Sequence, residues 1–447
     1  MCTLPANIAT TSAMGMFPFV APAHRLRDMT TAAGNRNGPP LQQIGTGRDH
    51  SAMRFGHTYL NLALSLLLCA CGNSLQAGGG NPLPQQVSSE APNAQVRLNR
   101  PRSDELLSVS GPDWLIEINV LVAGPVHVDI RARNSGKVLG RADISAPALG
   151  LQRIRIARAG TTPLAALPGE VDVVANGNVI GRRKIGLTLF VAGQSTSANW
   201  QCANCLTSPV IAHIQRIAVF DDPTVPLMPG LNDEISNNVI PAYPLPPLGA
   251  GQWRSLASWG QRYLPIANGR IQSFWPAVAD RLAAHYPNLS VAVVSVGLGG
   301  SAVAQWADER YLYQRFGYLS QIWNLDLTLW VQGERDAIDG TSTADYEYIL
   351  NFIRSHSSQD FPLASGTSVR WMLFLTTGGS LGCGAAAASN QQNIRAAIGN
   401  LVAQYPNDFV MGPDLDALPH HCHFDTDLEF QSAVSAIAAR LISYFGN

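Results

Sequence analysis

The chain has 447 residues, enough for two or three domains at roughly 150 residues each. Charged residues are only 14% of the total and the formal net charge is −1. There is thus no basic excess to neutralise phosphates or to coat an anionic membrane, which excludes nucleic acid as a partner class.

Residues 1–52 are polar, rich in Gly, Pro and Asn, and lack hydrophobic periodicity. A signal-like stretch begins only at Met53, "MRFGHTYLNLALSLLLCACGNS", where Arg54 precedes an apolar run. That run is shorter than the ~20 apolar residues needed to span a bilayer, so it reads as a segment removed on export. Its end, Leu68-Cys69-Ala70-Cys71, resembles a bacterial lipobox, which implies a lipoprotein signal peptide over 53–70 and lipidation of Cys71 as the mature N-terminus. Translation is then expected to start at Met53, with residues 1–52 a mis-assigned or disordered leader. An ordinary cleaved signal peptide is the alternative. Residues 71–94, rich in Gly, Ser, Gln and Pro, read as a flexible linker, since they cannot bury enough apolar surface to offset ordering.

Of the seven cysteines, four remain beyond Cys71: Cys202, Cys205, Cys383 and Cys422. An even number suits an oxidising compartment, and pairing within "CANC" and between Cys383 and Cys422 is one of three connectivities. Zinc held by these cysteines with His420 or His421 is a further option, but the second half of a CxxC…CxxC signature is missing.

From 95 to 186 the pattern has period two: "WLIEINVLV", "PVHVDIRAR", "LQRIRIA" and "EVDVVANGNVIGRRKIG". Asn176-Gly177 signals a hairpin because both positions tolerate positive φ, and "RNSGKVLGR" offers another. A small all-β, sandwich-like domain is predicted, with no catalytic cluster. From 187 to 447 apolar strands alternate with helices: "LTLFVAG", "QSFWPAVADRLAAHYP", "SVAVVSVGLGG", "LDLTLWVQGE", "TADYEYILNFIRSHS", "VRWMLFLTT", "NQQNIRAAIGNLVAQY" and "DTDLEFQSAVSAIAARLISYF". This predicts an α/β domain with a parallel sheet covered on both faces and a site beyond the carboxyl ends of the strands. The stretch from Asp221 to Trp253 reads as a long irregular surface loop, the expected seat of specificity.

Ser195 directly follows the first of these strands. Alone it reads as a helix N-cap. Three further strand-end blocks accompany it: "GLGGSAVAQW", "VQGERDA" and "HHCHF". In this order the four blocks resemble those of the SGNH (GDSL-like) hydrolase superfamily, specifically the carbohydrate-esterase branch of sialate O-acetylesterases and acetylxylan esterases with the SASA domain. The resemblance covers about 187–445. It implies a three-layer α/β/α, flavodoxin-like fold and an acetylated carbohydrate as substrate, with no metal or organic cofactor. It makes Ser195 the nucleophile and His423 the general base. The oxyanion hole would combine the Ser195 N–H, a backbone N–H of Gly299 or Gly300, and the Gln332 side-chain amide.

The chemistry is coherent with these residue types. Preorganised donors stabilise the charge that develops on an attacked carbonyl by roughly a few kcal/mol each, and imidazole can accept and return the serine proton. Gln194, Glu334 and Asp336 are expected to support the site, with the two acids positioning the loop by hydrogen bonds. Trp306 is expected to pack, and Asp308, Glu309 and Arg310 to form a solvated face.

One position departs from the family. The aspartate three residues before the histidine, which fixes its tautomer, is here His420. A Ser-His dyad, a carboxylate from Asp416, Asp425 or Glu334, or catalysis by His420 or His421 all stay open. Gly297 to Ala302 also fits a dinucleotide fingerprint, but the acidic residue that reading needs is misplaced, since Asp326 precedes the next strand. The rival to an esterase is a surface lipoprotein that binds glycans on an impaired site. Either way the expected location is the bacterial cell envelope, periplasmic or outer-membrane anchored, or secretion.

Overall fold

The computed structural model describes residues 95–102, 105–109, 111–160, 162–197, 210–221, 252–255, 274–295, 297, 299–307, 312–313, 316–317, 325–360, 369–378, 386–420 and 423–446. All belong to one compact unit, Asn81–Asn447. The leader, the signal-like stretch, Cys71, the linker, Cys202, Cys205, Cys383, Cys422, His421, Leu298, Asp308, Glu309 and Arg310 lie outside the described residues.

Among the described residues the strands join in one 14-stranded sheet. Its first part contains β1 (Val96–Arg100), β2 (Leu106–Ser108), β3 (Asp113–Val120), β4 (Val126–Ala132), β5 (Val138–Ile144), β6 (Gly150–Arg158), β7 (Glu170–Ala175) and β8 (Asn178–Gly193). These run in the order β1-β3-β6-β5-β4-β7-β8, antiparallel throughout, with the short β2 parallel to β8. The alternation of the sequence puts Ile116, Ile118, Val128, Ile130, Val171 and Val173 into a common core with Trp114. Leu98 of β1 lies against Gly181 of β8, where any added Cβ would meet it at 2.6 Å, so the first strand folds back over the last. The β7–β8 turn is Asn176-Gly177, with φ of 48° and 82°, the positive values that its hairpin requires.

β8 continues through residue 186, where the period of the sequence changes, and its second half is the central strand of the parallel part. There it is joined by β9 (Ile217–Asp221), β10 (Gln252–Ser255), β11 (Ser290–Ser295), β12 (Leu327–Val331), β13 (Trp371–Leu375) and β14 (Phe409–Asp414). The order is β10-β9-β11-β8-β12-β13-β14, parallel except for the β9–β10 pair. β9 and β10 are the two ends of the stretch read as an irregular loop; Asp221 pairs with Gln252 and Phe220 with Trp253.

Five helices pack on this part among the described residues: α1 (Phe274–His285), α2 (Glu334–Asp339), α3 (Thr343–Asp360), α4 (Ala388–Gln404) and α5 (Asp427–Gly446). One face of the sheet, with Leu187, Leu189, Val191 and Val293, is covered by α1 and α5 through Val278, Leu282, Val434 and Ile437. The other, with Phe190, Ala192, Val294 and Trp330, is covered by α3 and α4 through Tyr346, Leu350, Ile394 and Leu401. The fold is thus mixed α/β, with helices on both faces of the parallel strands. The strands read as unbroken apolar runs because both faces are buried. Among the described residues no helix is long and apolar enough to cross a membrane.

Candidate active site

β8 lies between β11 and β12, both later in the chain, so the strand order reverses there. In open parallel sheets this switch point, beyond the carboxyl ends, is where ligands bind. Gly193 ends β8 with φ of 134°, and a Cβ there would lie 2.0 Å from the Val331 carbonyl oxygen; only glycine allows the two strand ends to approach so closely. The Gln194 N–H then donates to that same carbonyl at 3.0 Å. The next residues turn sharply, with the Ser197 N–H and Oγ both donating to the Gln194 carbonyl at 3.0 and 2.7 Å.

Ser195 sits in this turn, only 5% exposed. Among the described residues neither its hydroxyl nor its N–H makes a hydrogen bond, so the capping bond that would give Ser195 a purely structural task is not made. The N–H groups of Gly299 and Gly300, in the loop after β11, are likewise without partners among the described residues, and Gly300 has φ of 69°. Parallel strands bring these unspent donors and the serine to one edge of the sheet.

Gln332, expected as an oxyanion-hole donor, follows β12, and its side-chain amide is engaged at both ends. Its Nε2 carries two hydrogens, and three acceptors already surround it: Asp336 Oδ2, the Ser301 carbonyl at 3.1 Å and Gln194 Oε1 at 3.4 Å. Its Oε1 accepts from the Tyr346 hydroxyl at 2.8 Å, which fixes the amide's orientation. With no exposed surface and no hydrogen to spare, the amide ties β12 to the loop after β11. Tyr346, on α3, carried no sequence signal beyond its place on an apolar face.

Gln194 has the complementary arrangement. Its Oε1 accepts from the N–H groups of Gly333 and Arg335 at 3.4 and 3.2 Å as well as from Gln332. Its Nε2 has no partner among the described residues, which leaves a pinned carbonyl end and two unspent N–H donors next to Ser195.

Asp336 and Glu334 are both buried, and their carboxylates are held differently. Asp336 Oδ2 accepts from the Val303 N–H at 2.8 Å and from Gln332, and its Oδ1 accepts from Thr341 at 2.8 Å. Burial raises its pKa, and these hydrogen bonds oppose the shift. Glu334 Oε1 accepts from the Thr376 hydroxyl at 2.6 Å, while its buried Oε2 has no partner. Burial, reinforced by the charges of Asp416 and Asp336, pushes its pKa up to about 8 despite the Thr376 hydrogen bond. Trp306 packs as expected, fully buried with its Nε1 donating to Ser301 Oγ at 2.9 Å.

After β13 and β14 the chain supplies the remaining groups. Thr377 donates from its N–H at 2.8 Å and from its hydroxyl at 2.7 Å to Asp416, which also takes Arg395 Nη1 at 3.0 Å. Thr376 and Thr377 were detectable as polar residues ending the apolar run "VRWMLFLTT". His420 is 2% exposed, its ring stacked 4.0 Å from that of Phe424 and its Nδ1 2.8 Å from the Leu418 carbonyl. His423 is half-buried, and burial lowers its pKa; the charge of Asp425 opposes this and that of His420 adds to it. No hydrogen bond joins His423 to Ser195 in this conformation. Among the described residues no three metal-ligating side chains converge, and the cysteines of the zinc alternative lie outside them.

The fold and site define an α/β protein with a serine at the switch point of a parallel sheet. No family model matches the chain, and no curated protein does. Among solved structures it is similar to a carbohydrate acetylesterase from Xanthomonas citri, at 17% identity, covering 76% of this chain and 73% of that one with a TM-score of 0.46. It is also similar to a protein from Arabidopsis thaliana, at 14% identity, covering 58% and 99% with a TM-score of 0.38. A third is a Corynascus thermopiles (Myceliophthora fergusii) carbohydrate esterase family 2 enzyme with its carbohydrate binding domain, at 12% identity, covering 79% and 100% with a TM-score of 0.33.

Proposed function

We propose that this chain is a serine esterase of the SGNH type, which removes O-acetyl groups from carbohydrate through an acetyl-enzyme. The observation that carries this reading is the turn after β8. Among the described residues it holds Ser195 with hydroxyl and N–H unspent, at the same sheet edge as the unspent N–H groups of Gly299 and Gly300 and the unspent amide nitrogen of Gln194. Helices on both faces of the parallel strands support the flavodoxin-like assignment.

In the proposed reaction Ser195 Oγ attacks the acetyl carbonyl while His423 takes its proton. Burial lowers the pKa of His423, which favours the neutral form able to act as a base. The oxyanion is met by the N–H groups of Ser195 and of Gly299 or Gly300, with Gln194 Nε2 as the side-chain donor in place of Gln332. The imidazolium returns its proton to the departing sugar oxygen, and water then releases acetate from the acetyl-enzyme. Because no hydrogen bond joins His423 to Ser195 here, the base closes on the serine when substrate is bound; catalytic hydrogen bonds commonly tighten only in that complex.

Acetate release from acetylated xylan, pectin, sialic acid and peptidoglycan by wild type and by Ser195→Ala tests the proposal. Wild type is expected to release acetate from at least one of these, and the variant to lose that activity. His420 at the usual acid position, committed to Phe424 and Leu418, favours a second reading: a glycan-binding protein with an impaired site. Binding of acetylated glycan without acetate release would establish it.

Export is part of the proposal. Cys71 is read as a lipid anchor holding the protein to the cell envelope, and an unmodified Cys71 in the mature protein, by mass spectrometry, would remove the anchor.

A further inference from the structure

The whole chain carries no basic excess, but its charges are divided unevenly. Residues 95–186 hold 13 Lys and Arg against 8 Asp and Glu, whereas residues 187–447 hold 12 against 20. The antiparallel part is therefore net positive, and it also exposes apolar side chains that its core does not use. Leu121, Val122, Leu149, Leu151 and Val179 are between 41% and 61% exposed, and all five gather at one tip of the sheet.

The strand register brings them together. Leu151 of β6 and Arg97 of β1 are both paired with Asn119 of β3. One step nearer the tip, the Leu121 N–H donates to the Gln95 carbonyl at 2.9 Å, and Leu149 lies one residue beyond the Val120–Gly150 pair. Gln95 Nε2 donates to the Val122 carbonyl at 3.3 Å. Gln95 Oε1 accepts from Asn176 Nδ2 at 2.7 Å, which brings the β7–β8 turn and, three residues on, Val179 to the same end. Behind the leucines stand the exposed Arg97, Arg153 and Arg155.

An exposed apolar patch rimmed by polar residues marks an interaction surface. Its partner is indicated by where the chain enters the fold. Gln95 sits at the centre of the tip, and only residues 72–94 separate it from Cys71, the position read as the lipid anchor. A chain held to a bilayer at Cys71 presents this end of the fold to the lipid first. Aliphatic side chains able to enter the headgroup region, with arginines behind them to meet anionic headgroups, have the composition of an interfacial membrane contact.

We infer that this tip, with Leu121, Leu149 and Leu151 foremost, docks on a bilayer that contains anionic phospholipid. The inference rests on the proposed anchoring at Cys71 for its orientation, and it goes further by giving the antiparallel part a task. Ser195 follows the far end of β8, 16 residues along the strand from this tip, which is up to roughly 50 Å at about 3.3 Å per residue. Docking therefore holds the serine away from the lipid, where a soluble or polymeric substrate can reach it.

Vesicle flotation tests this on the chain from Gly72 onward, which contains the whole compact unit Asn81–Asn447 and carries neither the signal-like stretch nor a lipid. It is expected to bind vesicles of phosphatidylglycerol and phosphatidylcholine in equal parts, to bind phosphatidylcholine alone more weakly, and to bind less as salt is raised. The double variant Leu121→Ser/Leu151→Ser is expected to lose about tenfold or more in vesicle affinity with its melting curve unchanged, since both leucines are exposed. A chain that does not bind the mixed vesicles, or binds them equally with and without the two leucines, overturns the inference. Dimerisation in gel filtration that the two substitutions abolish, without vesicle binding, also overturns it and makes a second copy the occupant. Neither the lipid state of Cys71 nor turnover at Ser195 enters these readouts, so failure of docking is distinct from failure of the anchor or of the esterase reading.

Discussion

Gln194 and Gln332 carry the same amide and lie within hydrogen-bond reach of each other, yet they divide its two ends differently. Gln332 spends both hydrogens on Asp336 and Ser301, whereas Gln194 spends its oxygen on Gly333 and Arg335 and keeps its hydrogens. Gln194→Glu probes this difference. It preserves the acceptor that the backbone N–H groups need, removes the donor and adds a buried negative charge. It should lower kcat by about a hundredfold or more, the usual loss for one oxyanion donor, and lower the melting temperature as well, because burying a charge is costly; steady-state kinetics and a melting curve check both. Glu334 gives a second prediction at this scale. The folded chain holds its proton up to about pH 8, whereas an unburied glutamate releases it near 4.5. The stability this contributes is complete below pH 4.5 and is lost as pH rises to about 8. Glu334→Gln cannot ionise, so it should gain in urea midpoint relative to wild type across that window, with no further gain above it.

At the scale of elements, the site depends on how closely β8 and β12 end together. Gly193→Ala would place a methyl group on the Val331 carbonyl at a positive φ. It should destabilise the protein by about 2 kcal/mol or more, strained backbone of this kind alone costing roughly 1–3 kcal/mol, and a urea titration would measure it. Apolar runs bounded by turn residues made most of these elements legible: β8, β11, β12, β13 and the four longer helices fall where the periodicity puts them, and Asn176-Gly177 marks its hairpin. β14 was not legible, because Gly412 and Pro413 interrupt a short edge strand. β9 and β10 were hidden at the two ends of a proline-rich stretch, since pairing across thirty intervening residues leaves no local pattern. The four strand-end blocks fall after β8, after β11, after β12 and just before α5. Which amide nitrogen is left without a partner among the described residues depends on groups distant in sequence, and no spacing rule encodes those.

Across the whole molecule, one strand connects the antiparallel and parallel parts. β8 pairs with β7 at one end and with β11 and β12 at the other, and Ser195 follows directly from it. The serine is thus supported by the central strand and by two buried cores, one on each face, including the edge-on Trp306–Trp330 pair at 5.4 Å. A rigid sheet beneath a nucleophile keeps its donors in place during reaction, which electrostatic preorganisation requires. The most direct measurement is to treat the purified protein with a fluorophosphonate, which traps activated serines covalently, and to locate the adduct by peptide mass spectrometry. The account predicts a single adduct on Ser195, absent in Ser195→Ala and suppressed in His423→Gln. An unlabelled protein, or an adduct on another residue, would contradict it.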